Sequence, residues 1–262
     1  MDAPALDQFA IDGSVLLRGF LSPIEVSDLR AWADDVCSWP APSVDGELKY
    51  TLHHETVDGA RRLCRVENFT PLHGGLAGIA ERACALAGGA LGCAAVLFKE
   101  KLNVKPPGGR GYGAHYDGPS AASLGFAAQT FVTVQIAIDA QTVENGCLQV
   151  ARPRGAWPAE RRMVAPVSGD PDAGGRVGAI DDAIADAIDW TPVECAPGDA
   201  LVFDHWTPHW SGPNRSAAPR RTLYFIFSRA EDGDWRDAYY AKMAAVRAAW
   251  AREQDAKRAA AA

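Results

Sequence analysis

Residues 96–105, VLFKEKLNVK, alternate apolar and polar side chains, and the run PPGG at 106–109 ends the pattern. Because successive side chains of a β-strand point to opposite faces, this alternation predicts a half-buried strand. Proline and glycine interrupt strands, so the predicted strand ends at the turn. This stretch indicates that the centre of the chain is built from β-sheet.

Further strands are predicted on both sides of this run. They cover residues 13–20 (GSVLLRGF), 131–138 (FVTVQIAI), 147–150 (CLQV), 199–204 (DALVFD) and 221–227 (RTLYFIF). Most are short runs rich in β-branched and aromatic residues, and glycine or proline lies between them. A turn at Glu144-Asn145-Gly146 separates the second from the third. Several short strands divided by such turns are typical of a jelly roll.

Helices are predicted towards the two ends of the chain. Ser22, Pro23 and Glu25 match a capping box, with serine at the N-cap, proline at N1 and glutamate at N3 of the first helix. A second helix covers about residues 75–88, and the alanine-rich residues 235–262 predict a terminal helix that frays. The whole pattern favours a mainly β fold with α, in which a helical buttress supports a jelly-roll core.

The chain of 262 residues is long enough for a large buried core, and we expect one domain over residues 1–262. Within it, residues 1–90 form the supporting N-terminal helical buttress, about 91–230 the jelly-roll core and 231–262 the C-terminal helix. Residues 168–190 are rich in Gly, Asp and Ala. We interpret them as a surface excursion and a candidate lid.

The bulk composition limits the partners. A formal net charge of −7 argues against nucleic acid or an anionic membrane surface as the main partner. No stretch approaches the roughly 18 apolar residues of a membrane span, and the N-terminus lacks the features of a secretory signal. The six cysteines have no CxxC spacing, which predicts reduced thiols. We therefore expect a cytoplasmic protein that acts on a small molecule; the sequence carries no signal for its oligomeric state.

The triplet His115-Tyr116-Asp117 places a histidine and a carboxylate two residues apart. In a strand, residues i and i+2 face the same side, so both side chains can approach one metal ion. Such triplets also occur by chance, as a surface histidine beside a turn aspartate. A third ligand is therefore needed, and His205 and His209 are the two candidates that follow the strand at 199–204.

The residues around His209 favour it over His205. Ser211 follows it closely, and Arg220 lies eleven positions beyond it. Guanidinium pairs bidentately with carboxylate, so Arg220 could hold the far carboxylate of 2-oxoglutarate while Ser211 adds a hydroxyl donor. Two imidazoles and one carboxylate on one face of an octahedral ion leave three sites open, as in non-haem Fe(II) oxygenases. Zinc is the alternative metal for such a set.

Taken together, these motifs resemble the phytanoyl-CoA dioxygenase family. The resemblance rests on the His-x-Asp triplet, on ENGCL at 144–148, on GDALVF at 198–203, on HWSGPN at 209–214 with Arg220, and on the opening residues 9–30, and it covers nearly the whole chain. It implies a double-stranded β-helix, which is a cupin-like jelly roll. It also implies a dioxygenase that uses Fe(II), 2-oxoglutarate and O2.

The resemblance carries over to individual residues. It implies that His115, Asp117 and His209 are the catalytic metal ligands and that Arg220 and Ser211 bind 2-oxoglutarate. Two further candidate cosubstrate contacts are Gln135, which stands where the family often has tryptophan, and Asn103, on the strand before the triplet. Related halogenases have a small residue at the position of Asp117, so a carboxylate there favours hydroxylation.

The expected reaction is hydroxylation of an unactivated C–H bond with release of succinate and CO2. Residues 97–109 look most like bacterial members that hydroxylate aminoalkylphosphonates. The expected substrate is therefore a small polar metabolite or natural-product intermediate, with an aminoalkylphosphonate as one candidate. The residues that could hold its anionic head group are Lys99, Lys101, Lys105 and the pair Arg61-Arg62. ARPRG at 151–155 replaces a Gly-Ser-His segment of the family and points to an unusual substrate.

Two other functions remain open on the sequence. The metal site could belong to a non-catalytic β-helix protein that serves as a sensor or scaffold, or to a cupin-like zinc hydrolase. The presence of both a ligand triad and a candidate cosubstrate clamp at Arg220 counts against the sensor. Metal content and indifference to 2-oxoglutarate would identify the hydrolase. The remaining histidines, His53, His54 and His73, are expected to be solvated or hydrogen-bonded.

Overall fold

The structure is a computed structural model that describes residues 1–41, 50–126, 131–159, 161–164 and 178–261. Its strands are β1 (Ser14–Leu17), β2 (Thr51–Val57), β3 (Ala60–Glu67), β4 (Ala95–Lys105), β5 (Tyr112–His115), β6 (Phe131–Ala137), β7 (Leu148–Ala151), β8 (Trp190–Val193), β9 (Ala200–Asp204), β10 (His209–Ser211) and β11 (Arg220–Arg229). Its helices are α1 (Ala3–Asp12), α2 (Pro23–Ser38), α3 (Gly74–Leu91), α4 (Gly118–Ser123), α5 (Asp182–Ala185) and α6 (Arg236–Ala261).

The strands form two antiparallel sheets that pack face to face. The larger has seven strands in the order β1-β9-β6-β11-β4-β3-β2, and the smaller has four in the order β5-β10-β7-β8. Leu201 and Phe203 of the larger sheet pack against Leu148 and Val150 of the smaller one. The prediction of a mainly β jelly roll with supporting helices is confirmed by this arrangement.

The alternation along β4 separates an apolar layer from a polar one. Leu102 is fully buried and packs with Leu223 and Phe225 in the core beneath the N-terminal helices. Its neighbours Lys101 and Asn103 point to the opposite face, into a cavity between the two sheets. The strand pattern predicted from the sequence therefore decides which side chains reach the interior of the jelly roll.

The N-terminal region is less purely helical than predicted. Helices α1, α2 and α3 cover the outer face of the larger sheet, and the capping box at Ser22 and Glu25 is present. However, residues 1–90 also contribute β1 to one edge of this sheet and β2 and β3 to the other. The strand at 13–20 was predicted, but β2 and β3 were not, and the helical-buttress prediction is corrected for these two strands. An Asp58-Gly59 turn, with φ of 49° and 76°, joins β2 to β3 as hairpin turns of positive φ do.

The C-terminal helix begins at Arg236 rather than at residue 231, because a 3-10 turn at Ala230–Asp232 precedes it. Its first turns are held against β4: Arg236 pairs with the buried Glu100, and the Tyr240 hydroxyl contacts the same residue. The predicted fraying does not apply to this part. Of the candidate lid at 168–190, residues 168–177 lie outside the described residues, while α5 and the start of β8 occupy its second half. None of the described helices combines the length and apolar composition that crossing a membrane requires.

Candidate metal centre

Two neighbouring strands of the smaller sheet bring the three predicted ligands together. His115 is the last residue of β5, His209 is the first residue of β10, and the two face each other in the antiparallel register. Asp117 lies two residues beyond the end of β5, just before α4. The sequence predicted Asp117 on a strand and His209 after the strand at 199–204; in the structure the aspartate lies outside a strand, and the histidine begins a short strand of its own. Cross-strand pairing therefore bridges a separation of 94 positions.

The donor atoms of these residues are close enough to share one ion. His115 Nε2 lies 3.8 Å from Asp117 Oδ1, and the two imidazole centroids are 4.1 Å apart. One donor atom from each of the three residues lies within 4.8 Å of the others. Both histidines are buried, whereas the Asp117 side chain is 21% exposed. The cluster thus has a protected side and a side open to the cavity.

Backbone carbonyls fix the orientation of both imidazoles. His115 Nδ1 lies 2.8 Å from the carbonyl oxygen of Gly113, and His209 Nδ1 lies 2.9 Å from that of Thr207. A carbonyl only accepts hydrogen bonds, so each Nδ1 carries the proton and donates it. Nε2 is then the lone-pair nitrogen of each ring, as in metal sites whose ligand histidines are held by a second hydrogen bond.

Asp117 is held in its ionised form. The Thr133 hydroxyl on β6 donates a hydrogen bond to its Oδ2 at 3.3 Å. Burial alone would raise the pKa of this carboxyl, but its electrostatic interactions with the His209 imidazole, the Lys101 ammonium and the His115 imidazole outweigh burial and keep the pKa well below its usual range. Two neutral imidazole nitrogens and one carboxylate fit Fe(II) in the facial arrangement that leaves positions open for further ligands.

A second, smaller cavity adjoins the triad and contains Arg220. This residue opens β11 and is 4% exposed. Its guanidinium donates to Thr222 Oγ1 at 2.7 Å and to the Gly146 carbonyl at 2.9 Å, while its buried Nε has no partner within the described residues. Ser211 on β10 lines this cavity and also that of the triad. A buried guanidinium with an unpaired N–H is suited to a carboxylate ligand.

The other two predicted cosubstrate contacts differ in position. Asn103 lines both cavities, and its buried Oδ1 has no hydrogen-bond partner within the described residues. Gln135 lies on the same face of the larger sheet but donates to Gln141 Oε1 at 3.0 Å. Gln141 in turn donates to Thr222, so the Gln135 amide is part of a side-chain network beneath the cavity wall.

Of the basic residues proposed to bind an anionic head group, some line the two cavities and others lie outside them. Lys101 lines the triad cavity, and Lys105 lines the cavity of Arg220. Lys99 instead lies 3.5 Å from the Tyr239 hydroxyl of α6, and Arg61 and Arg62 are exposed on β3. The structure adds Arg65, which lies opposite Asn103 in the β3–β4 pair and lines the triad cavity. Sequence reasoning missed it, although the Asp58-Gly59 hairpin signal could have revealed β3.

Three of the remaining histidines, His205, His73 and His53, have contacts away from the metal centre. His205 Nδ1 lies 3.2 Å from the Phe131 carbonyl oxygen, and His73 caps α3 by accepting from the Leu76 amide. His53 lies between Arg65 and Glu67. Within the described residues, the cluster of His115, Asp117 and His209 is the one group that could hold a metal ion.

A jelly roll that carries two histidines and one carboxylate beside a buried arginine defines the class of non-haem Fe(II), 2-oxoglutarate-dependent oxygenases. The chain belongs to the phytanoyl-CoA dioxygenase family, whose pattern matches residues 9–222.

Named relatives support the same class. A methylphosphonate hydroxylase of Gimesia maris is 37% identical over 243 residues, covering 90% of this chain and 84% of the relative. A 2-aminoethylphosphonate dioxygenase of an uncultured bacterium is 34% identical over 238 residues, covering 89% and 84%. The crystal structure of EctD from S. alaskensis with 2-oxoglutarate and 5-hydroxyectoine superposes with a TM-score of 0.68 at 19% identity, covering 88% of this chain and 77% of that one. At that identity the likeness shows the fold alone.

Proposed function

We propose that this enzyme hydroxylates a C–H bond of a small alkyl- or aminoalkylphosphonate, using Fe(II), 2-oxoglutarate and O2. One O2 and one 2-oxoglutarate are consumed per hydroxylated product, and succinate and CO2 are released. The observation that carries the proposal is the joining of two cavities: one holds the His-Asp-His cluster with Lys101 and Arg65, and the other holds Arg220. The named phosphonate enzymes among its relatives agree with it.

In this proposal His115, Asp117 and His209 hold the iron. The carbonyls that accept from both Nδ1 atoms keep the rings aimed at the shared point, and Thr133 steadies the carboxylate. When bound, the iron and 2-oxoglutarate together supply the oxidant that O2 alone does not provide. Because Asp117 occupies a position that a coordinating halide would otherwise take, hydroxyl transfer is the expected outcome.

Arg220, Ser211 and Asn103 are proposed to bind 2-oxoglutarate. The unpaired Nε of Arg220 and the nearby Ser211 hydroxyl can donate to its far carboxylate, since both are buried in the cavity wall. The side-chain amide of Asn103 lies on the same wall, and its NH2 group is the part that can donate to a carboxylate of 2-oxoglutarate. Gln135 is proposed to contribute indirectly. It donates to Gln141, and Gln141 donates to the Thr222 hydroxyl, which accepts from Arg220.

Lys101 and Arg65 are proposed to hold the phosphonate. Both line the triad cavity, and both lie on the sheet face that carries Asn103. Glu67 contacts Arg65 Nε at 3.1 Å and so fixes the position of that guanidinium. Cationic side chains in a partly desolvated cavity make strong, charge-assisted hydrogen bonds to phosphonate oxygens.

The direct test is succinate release by the full chain with Fe(II), with methylphosphonate and 2-aminoethylphosphonate as substrates and acetate and β-alanine as their carboxylate counterparts. We expect phosphonate-dependent succinate and a product that has gained one oxygen atom. Asp117→Ala should lose both, whereas Asp237→Ala, on an exposed position of α6, should retain both. Succinate independent of every phosphonate would refute the substrate, and iron binding without any turnover would favour the sensor or scaffold. Retention of zinc with indifference to 2-oxoglutarate would favour the hydrolase.

A further inference from the structure

Lys105, at the end of β4, is a buried lysine in the cavity of Arg220. It lies directly opposite Arg220 in the β4–β11 register and is 4% exposed. Its Nζ donates to Ser211 Oγ at 3.0 Å, to the Gly146 carbonyl at 3.3 Å and to the Gly212 carbonyl at 2.5 Å. The ammonium is therefore aimed at the same hydroxyl that the proposed function assigns to 2-oxoglutarate.

Lys105 and Arg220 are two cationic side chains that face each other, and within the described residues neither donates a hydrogen bond to a carboxylate. Their side-chain hydrogen bonds in the described part of the chain end on carbonyl and hydroxyl oxygens, and both donate to the carbonyl of Gly146. Glu55 lines the same cavity, but its carboxylate Oε2 is ion-paired with Arg110 Nε at 3.4 Å. Burial, and then the charge of Arg220, lower the pKa of Lys105 to about 7. Two buried like charges are costly unless an anion joins them.

We infer that Lys105 is a second cationic anchor for the far carboxylate of 2-oxoglutarate, acting beside Arg220 and Ser211. The inference rests on the proposed function. The cavity that contains the two cations shares Asn103, Tyr112, Ser211 and Tyr224 with the triad cavity. A short dicarboxylate can therefore present one end to the metal ligands and the other to Lys105.

A purely structural role for Lys105 is the alternative to be excluded. Gly146 and Gly212 approach closely, since a Cβ on Gly146 would lie 2.2 Å from the Gly212 carbonyl oxygen. Lys105 donates to both carbonyls and could simply tie these two segments together. The two roles differ in what they depend on: an anchor responds to the far carboxylate of the ligand, whereas a tie does not.

The test is calorimetric binding to the full chain loaded with Mn(II) in place of Fe(II). Two ligands are compared: 2-oxoglutarate, and 2-oxobutanoate, which has the metal-binding end but lacks the far carboxylate. In Lys105→Met we expect about tenfold or greater weakening for 2-oxoglutarate, the size typical of one lost hydrogen bond to a charged group. The Kd of 2-oxobutanoate should change by less than about twofold. Lys257→Met, on an exposed position of α6, should change neither.

Each outcome of this binding experiment either supports or overturns the anchor role of Lys105. An unchanged Kd for 2-oxoglutarate in Lys105→Met, or equal weakening for both ligands, overturns the anchor and leaves the proposed function standing. Failure of the unsubstituted chain to bind 2-oxoglutarate overturns the proposed function and the anchor together. If the variant does not fold, pH dependence in the unsubstituted chain replaces it.

The pH experiment uses the ratio of the Kd for 2-oxoglutarate to the Kd for 2-oxobutanoate, in which effects at the metal end cancel. The groups facing Lys105 are Arg220 from β11, Glu55 from β2, Tyr112 from β5 and Cys147 before β7. Burial raises the pKa of the Cys147 thiol, so it does not ionise near neutral pH. A bound carboxylate raises the pKa of Lys105, so binding takes up a proton once pH exceeds about 7. The ratio should therefore rise between pH 7 and 8.5; a constant ratio overturns the anchor.

Discussion

At the scale of single residues, the geometry of the candidate metal centre depends on groups that are not ligands. The carbonyls of Gly113 and Thr207 fix the tautomer of the two imidazoles, and the Thr133 hydroxyl steadies Asp117. These contacts hold the donor atoms of the three residues around one point. Preorganisation of this kind lowers the cost of assembling the site around the metal.

Lys101 is predicted to serve the substrate and not the cosubstrate. Lys101 lines the triad cavity and not the cavity of Arg220. The phosphonate and 2-oxoglutarate are therefore expected to contact different cationic side chains. In Lys101→Met the KM for the phosphonate should rise about tenfold or more, because one charge-assisted contact is lost. The Kd of 2-oxoglutarate should stay the same. Steady-state succinate assays measure the first quantity and calorimetry the second.

The control for this variant is Lys257→Met, which alters an exposed lysine of α6. Metal content should also be measured, because Lys101 contributes to the low pKa of Asp117. A phosphonate KM equal to that of the unsubstituted chain would remove Lys101 from the substrate site.

The sequence allowed some of these residues to be identified and not others. His209 was separable from His205 because Ser211 and Arg220 follow it at a fixed spacing. Arg65 could not be found in the same way, since its place in the cavity depends on the register of β3 against β4. Such a register is set by pairing between distant segments, and no local pattern records it.

At the scale of elements, the pairing of β5 with β10 assembles the ligand set. The pair includes a register shift between His209 and Ser211, and the chain before β5 passes very close to the chain after β10. At Gly111 a Cβ would lie 2.3 Å from the Ser211 carbonyl oxygen. Only glycine permits this approach.

Gly111→Ala should therefore push β5 away from β10 and separate His115 from His209. We expect a loss of stability of about 1–3 kcal/mol, the usual cost of overpacking, together with weaker Fe(II) binding. Urea unfolding and metal titration measure the two effects. Gly155→Ala is the matched control, because a Cβ there meets nothing within 4 Å. Fe(II) affinity equal in the two variants would show that the close approach does not position the ligands.

The packing of α6 on β4 depends on a buried ion pair. Glu100 is fully buried, and its carboxylate accepts from Arg236 Nη2 at 2.6 Å and from Thr70 Oγ1 at 2.8 Å. The alanine-rich composition of α6 suggested a frayed helix, because Arg236 looks like any other surface charge in the sequence. Its partner lies 136 positions away, which no local pattern can reveal.

Arg236→Met should lower the free energy of unfolding by about 3–5 kcal/mol, since it leaves the Glu100 charge buried without its partner. The double variant Arg236→Met/Glu100→Gln should recover part of this loss, because the uncompensated charge is then absent. Urea unfolding measures both. Arg252→Met, exposed further along α6, is the control. A loss below about 1 kcal/mol, typical of surface ion pairs, would contradict the role given to this pair.

At the scale of the whole molecule, the larger sheet separates two interiors. Its outer face packs against α1, α2 and α3 in a continuous apolar core, and its inner face carries the polar side chains of the cavities. The alternation at 96–105 predicted a half-buried strand, and the structure has that strand as β4, with apolar side chains on the outer face and polar ones on the inner face. The strand at 13–20 was predicted, but its place at the edge of the sheet and the strands β2 and β3 were not, because pairing at a sheet edge is a property of the assembled sheet and not of the segments.

The most direct test of the account is turnover under 18O2 with 2-aminoethylphosphonate or methylphosphonate as substrate. We expect equal amounts of succinate and hydroxylated phosphonate, each carrying one 18O atom. Both products should disappear in Asp117→Ala. A phosphonate product without 18O, or succinate formed with no oxidised phosphonate, would contradict the central claim that this chain is a phosphonate hydroxylase.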